Sequence, residues 1–212
     1  MGRHSDAKVR LLDAAIDLVW ARSYGAVTVE DICEQAGVKK GSFYYFFASR
    51  DELIAAAIDA KWESVRPAFD EIFSATRPPL ERLERAFEYV YESQKGLREK
   101  HGHTLGCPFS SVGTEVVAAD NAVREAVART IKGKLSYFES ALRDLQARGM
   151  LKGQDNPAEL ARQVYSYYEG VLGQARIVDD VELLRGVYRG ALKLLGIQPN
   201  HAQVSEDAAV AI

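Results

Sequence analysis

Thr28-Val29-Glu30-Asp31-Ile32-Cys33-Glu34-Gln35-Ala36-Gly37-Val38-Lys39-Lys40-Gly41-Ser42-Phe43-Tyr44-Tyr45-Phe46-Phe47-Ala48-Ser49-Arg50-Asp51-Glu52-Leu53 is the stretch that decides the fold. Thr28 stands as an N-cap before the apolar pattern Val29, Ile32 and Ala36, and Glu30 and Asp31 occupy the first turn, where the helix dipole favours acids. Gly37 stops this helix after about two turns and can take the positive φ of a tight turn. Lys39 to Phe46 reads as another short helix, and Ser49-Arg50-Asp51-Glu52 as a capping box opening a longer one. Two short helices about Ala36-Gly37-Val38 make a helix-turn-helix. Its second helix offers Lys39, Lys40, Ser42 and Tyr44 near its start, the end that enters a major groove. Lysine supplies attraction to phosphate or a guanine contact, Ser42 gives or accepts a hydrogen bond, and Tyr44 can meet a thymine methyl or a phosphate. A helical hairpin with all its aromatics in the core accounts for Phe43 and Phe46. It does not account for two lysines and a glycine at the head of an aromatic helix.

Working outward, helical patterns run almost everywhere. Val9, Leu12, Ile16 and Val19, flanked by Leu11, Ala15 and Leu18, predict a helix from Asp6 to Arg22 with that stripe buried. The helix opened by Ser49 carries Leu53, Ile54, Ala57, Ile58, Trp62 and Val65, with Pro67 placed to bend it. Beyond Pro78-Pro79, Leu80, Leu83, Phe87, Val90 and Tyr91 mark a helix that fades between Gly96 and Gly106. Val123 through Leu145 mark a long one ending at Gly149. Asn156-Pro157-Ala158-Glu159 opens another with a cap and a proline at its first position. Asp179 is expected to cap a last helix running to Leu195 and ended by Gly196. No strand alternation or hairpin signal interrupts the series, so the fold class is all-α.

Composition narrows the function. The 212 residues are 47% hydrophobic and 27% charged, values of a globular protein rather than a disordered one. No apolar run approaches the roughly 18 residues of a membrane span and no signal peptide opens the chain, so a soluble, cytoplasmic protein is expected. Two cysteines, Cys33 and Cys107, are too few for a disulfide framework. The net charge is −3, with a slight basic excess in the first 50 residues and an acidic remainder. That polarity suits DNA contact by one end only.

At residues Thr28, Ile32, Ala36, Gly37, Val38, Gly41, Ser42, Tyr44, Phe47, Arg50 and Leu53 the chain resembles the tetracycline-repressor (TetR) family of bacterial transcription regulators. It departs from the usual pattern at Cys33, Lys39 and Phe46, the last of which removes a polar group expected to touch phosphate. The resemblance implies an N-terminal helix-turn-helix head of three helices and a C-terminal helical bundle for ligand binding and dimerisation. It implies that Thr28 and Arg50 hold phosphates while Lys39, Lys40, Ser42 and Tyr44 face the groove. The expected DNA-facing set is Thr28, Lys39, Lys40, Gly41, Ser42, Tyr44, Tyr45 and Arg50. The expected domains are residues 1–52 for DNA and 53–200 for effector and dimer, with a flexible tail over 201–212, where the sequence shows neither caps nor a helical period.

In the body, Gly170, Gly173, Gly186 and Gly190 sit at helical positions, where glycine costs up to about 1 kcal/mol against alanine. Close helix approach is a reason for them, within one subunit or, as the family resemblance favours, across a homodimer on a palindromic operator. Cys107 before Pro108 is placed to N-cap a helix, where a thiol is activated; a small buried thiol is the plainer alternative. His101, His103 and Cys107 could be three metal ligands, but no fourth is suggested, so neither metal nor cofactor is expected. Tyrosine-rich helices suggest a polar-edged cavity for a flat molecule. The expected effector set is Phe87, Tyr91, Cys107, Phe109, Tyr137 and Tyr168. The expected function is a repressor released by a small aromatic or electrophilic effector; a helical-bundle enzyme or metalloprotein with no DNA role is the alternative. No Gly-x-Ser-x-Gly, phosphate loop or paired catalytic carboxylates support an enzyme.

Overall fold

The structure, a computed structural model, describes residues 2–116, 121–151 and 156–198, and all regular elements within them are helical. The tail expected over 201–212 lies outside the described residues. The chain forms two compact units, and neither is one continuous stretch: Met1–Pro67 with Cys107–Lys132, and Ala68–Gly106 with Gly133–Ile212.

The first unit holds α1 (Gly2–Ala21), α2 (Val29–Ala36), α3 (Lys40–Phe46), α4 (Arg50–Ile72) as far as Pro67, α6 (Pro108–Glu115) and the opening of α7 (Asn121–Ala147). Helix α1 packs on α2 and α6. Its buried side is Leu11, Ala14, Ala15, Ile16, Leu18 and Val19, so of the expected stripe Ile16 and Val19 are buried, whereas Val9 lies exposed and Leu12 half-buried. The flanking residues win because they face two partner helices. Phe43 is fully buried and Phe47, one turn on, is buried beside it, while Phe46 is only half-buried. The core seat expected for Phe46 therefore belongs to Phe47, since α3 is two turns long and positions four apart share a face. Asp59 accepts from Arg129 at 2.7 Å, which ties α4 to α7.

The second unit holds the end of α4, α5 (Pro79–His101), the rest of α7, α8 (Pro157–Val178), a 3₁₀ turn at Val181–Gly186 and α9 (Val187–Leu194). Helix α5 runs to His101 and ends at Gly102 in the left-handed region, within the stretch Gly96 to Gly106 where the sequence predicts it to fade. The buried Tyr91 and Gln94 just before Gly96 hold the helix through it. The last helix is likewise two pieces. Asp179 is the left-handed C-cap of α8, and Asp180 caps the 3₁₀ turn by accepting from the Glu182 amide at 3.0 Å. Arg82, 1% exposed, donates to the Arg77 and Ala75 carbonyls and to Asp144 at 2.7 Å, so its buried charge is matched on every side. Among the described residues no helix is long and apolar enough to cross a membrane.

Candidate nucleic-acid interface and effector site

Thr28 caps α2 through a reciprocal box: its hydroxyl accepts the Asp31 amide at 3.2 Å, and Asp31 accepts the Thr28 amide at 2.8 Å. The Thr28 hydroxyl also holds the Asp31 carboxyl below the usual carboxylate range. Gly37 closes α2 at φ +60°, and its amide bonds back to the Glu34 carbonyl at 3.1 Å, which sets the angle at which the chain re-enters α3. Helix α3 has no side-chain cap of its own at Lys39; it is anchored by Phe43 and Phe47 from below.

That anchoring leaves Lys39, Lys40, Gly41, Ser42, Tyr44 and Tyr45 exposed, Tyr44 at 60% and Tyr45 at 73%. Lys40 pairs with Glu30 of α2, which raises the ammonium pKa and lowers that of the carboxyl. The lysines thus differ: Lys39 makes no ion pair among the described residues, whereas Lys40 is shared with Glu30. Thr28 is exposed, with its hydroxyl in the cap.

Arg50, the first residue of α4, is placed otherwise. Its Nη1 donates to the carbonyls of Tyr24 at 3.2 Å and Val27 at 3.0 Å, and its Nε and Nη2 engage Asp51 at 3.0 Å. The guanidinium also lies 4.5 Å over the Tyr24 ring. The Tyr24 hydroxyl donates to the same Asp51 oxygen at 2.9 Å. Burial, then the bond to Asp51, pushes the phenol pKa up to about 12. At the far end of α2, Arg10 of α1 donates to the Ala36 carbonyl at 2.9 Å.

The expected effector residues fall in both units. Cys107 N-caps α6 ahead of Pro108, as the sequence predicts, and both Cys107 and Phe109 are buried in the first unit. In the second, Phe87, Phe138, Tyr165 and Tyr168 form one aromatic column, with ring centroids 5.7–6.1 Å apart. Tyr137 stacks instead toward Phe69 and Phe73, with its hydroxyl bonded to Asp70. Tyr91 donates to Glu182 at 3.0 Å under the Arg185 guanidinium. Phe87 and Tyr91 line a groove of about 280 Å³ with Leu184, Arg185, Tyr188 and the row Glu84, Glu88 and Glu92. So Phe87 and Tyr168 meet, Phe87 and Tyr91 share a groove, and Tyr137 joins the aromatic group at one remove, through Phe73, whose ring lies 5.4 Å from both Tyr137 and Phe138.

The four glycines divide. A Cβ at Gly190 would overlap the Tyr167 hydroxyl, so close packing inside the chain explains that position. Gly170, Gly173 and Gly186 face open space. Gly170 and Gly173 share a face of α8 with Ile177, which is 83% exposed and followed by Val178 at 61%.

Several contributing residues have a signal in the sequence that is easily passed over. Arg82, Gln94, Thr130 and Lys134 occupy positions on the apolar stripes of α5 and α7 and are buried. A polar residue where the helical period demands an apolar one is that signal. Gln94 uses both ends of its amide on Gly106, donating to its carbonyl and accepting its amide at 2.9 Å. Tyr24 and Asp51 have no such mark, because their pairing joins residues 27 apart in sequence.

Residues 11–57 match the family model "Bacterial regulatory proteins, tetR family", and residues 79–191 match "Tetracyclin repressor-like, C-terminal domain". The chain is 28% identical over 168 residues to the transcriptional regulator AcuR of Cereibacter sphaeroides, covering 79% of this chain and 75% of that one. It is 23% identical over 186 residues to the HTH-type transcriptional repressor NemR of Escherichia coli, covering 87% and 92%. A solved regulatory protein TetR from Rhodobacter sphaeroides superposes with a TM-score of 0.78 at 25% identity, covering 89% of this chain and 98% of that one.

Proposed function

The chain belongs to the tetR family of bacterial regulatory proteins and is a ligand-responsive, DNA-binding transcription regulator, and from that premise we propose that it is a cytoplasmic, homodimeric repressor. In this proposal residues 1–52 bind a palindromic operator and residues 53–200 bind the effector and the second subunit. The observation that carries it is the outward face of α3, where Lys39, Gly41, Ser42, Tyr44 and Tyr45 are exposed while Phe43 and Phe47 hold the helix down. Lys39 and Tyr44 meet base edges; Thr28, Lys40 and Tyr45 meet the backbone. The open face of Gly170, Gly173 and Ile177 on α8 takes the same face of a second copy.

The effector is a small, flat, partly polar aromatic molecule, held within the second unit by the rings of Phe87, Tyr91 and Tyr168. The burial of Cys107 favours reversible binding over covalent capture, because an electrophile reaches only a thiol that is exposed. The test is release of the protein from a duplex that it has itself selected from a random-sequence pool. Inert aromatics are expected to release wild type and Cys107→Ser alike. Release by quinones or aldehydes of wild type alone would overturn the reversible mode and make Cys107 the sensor. Failure to select any duplex would overturn DNA binding itself.

A further inference from the structure

An arginine at the start of α4, beside the helix-turn-helix, is well placed to hold a phosphate, and the family resemblance gives Arg50 that role. Its surroundings give it another. A guanidinium has five N–H groups. Arg50 donates three hydrogen bonds within the chain, to the Tyr24 and Val27 carbonyls and to Asp51, and its Nη2 forms an ion pair with the same Asp51 oxygen at 3.0 Å. Its flat face is covered by the Tyr24 ring at 4.5 Å. The buried Tyr24 closes the loop by donating to Asp51 at 2.9 Å. The clasp therefore joins three residues, with each bonded to the other two.

What the clasp holds is the entry to α2. Val27, whose carbonyl Arg50 grips, is the residue immediately before the Thr28 cap. With Arg10 on the Ala36 carbonyl, α2 is gripped at one end from α4 and at the other from α1. Helix α3 comes after α2 through the rigid Gly37 turn, so an error in the angle of α2 is carried into the groove-facing residues. A misplacement of about 1 Å in a positioned group costs orders of magnitude in an oriented reaction, and base contacts are similarly exacting.

We propose that Arg50 is a positioning residue for DNA binding, acting with Tyr24 and Asp51 to fix the helix-turn-helix on α4, and not a phosphate ligand. The proposal rests on the DNA-binding role stated above. Removing the clasp leaves the number of phosphate contacts unchanged and spoils the fit of all of them together. Lysine at position 50 keeps the charge yet cannot serve two carbonyls, the Asp51 carboxylate and a ring at once. A phosphate ligand behaves in the opposite way, because each neutralised phosphate contributes about 0.9 to the slope of log affinity against log salt.

The experiment measures affinity against salt for wild type, Arg50→Gln, Arg50→Lys and Tyr24→Phe. The probe is a duplex selected by the wild-type protein from a random-sequence pool, at a temperature where circular dichroism shows every variant folded. Arg50→Gln is expected to bind roughly tenfold more weakly (each factor of ten being 1.4 kcal/mol) with an unchanged salt slope. Arg50→Lys should not restore binding. Tyr24→Phe, which changes no charge, should weaken binding in the same direction, and the pair should be less than additive with Arg50→Gln. A slope shallower by about 0.9 in Arg50→Gln, with Arg50→Lys restored, would overturn the proposal. Wild-type affinity in the folded variants would overturn it too, leaving the clasp a matter of stability alone. If the wild type selects no duplex, it is the DNA-binding role that fails, and these variants are not reached.

Discussion

Gly37 shows how much one residue decides. At φ +60° an L side chain is strained by about 1–2 kcal/mol, and a Cβ there would also come within 3.4 Å of the Arg10 guanidinium that grips α2. Gly37→Ala is therefore expected to lower unfolding free energy by about 1–2 kcal/mol, read from the denaturant midpoint; an unchanged midpoint would refute the strain. Arg82→Ala should cost about 1–3 kcal/mol, because it leaves two carbonyls without their donor. Gly37 and Thr28 are legible in the sequence because their roles are local: a cap and a turn are written within four residues. Arg82 is legible only as an anomaly on an apolar stripe, and Arg50 only as a charge. Where a guanidinium points depends on carbonyls more than twenty residues away.

Helix α3 cannot stand alone. It has seven residues and no capping side chain, far below the length at which a helix is stable by itself, so packing of Phe43 and Phe47 sustains it. Phe43→Ala is expected to destabilise by about 3–5 kcal/mol. Tyr45→Ala should leave stability within about 0.5 kcal/mol of wild type and yet weaken operator binding. If Tyr45→Ala proved neutral in both, the exposed face of α3 would not be the contact surface. Period and caps mark where α2, α3, α7 and α8 begin and end. They mislead at Asp179 and Asp180, since either aspartate can cap the next turn and a 3₁₀ turn shares its i, i+3 contacts with an α-helix. For α5 they give only the stretch Gly96 to Gly106 and not the end at Gly102, because buried neighbours carry the helix through Gly96.

At the scale of the whole chain, the carboxylates set the acid limit. The Thr28 hydroxyl holds Asp31 low, the Lys40 ammonium Glu30, the Arg85 guanidinium Glu81, the Thr104 amide Asp179 and the Arg185 guanidinium Glu182. A folded pKa below the unfolded one means that folding favours the charged form. That stabilisation is complete above the unfolded values of about 3.9–4.3 and is lost as pH falls through the lower folded ones. Tyr24 works at the other end: raised to about 12, it stabilises below the ordinary phenol value of about 10, and that contribution is lost as pH climbs from there through the folded value. Melting temperatures should therefore hold between about pH 5 and 9 and drop below about pH 4. Tyr24→Phe should blunt only the alkaline fall, and an equal effect on both wings would contradict the assignment. Ile177→Glu is expected to give monomers in sedimentation that keep their helicity; intact dimers would place the interface elsewhere. Neither discontinuous unit is legible in the sequence, because periodicity describes one helix at a time. The interleaving has its own consequence for how the protein comes into being. A ribosome delivers α1 to α4 first, but one partner of α1, helix α6, and the α7 partner of Asp59 lie in the segment Cys107–Lys132, beyond a stretch of nearly forty residues that belongs to the other unit. The nascent head is incomplete until synthesis has passed the middle of the chain, so a premature stop before residue 107 is expected to leave α1 without α6 and its apolar flank uncovered.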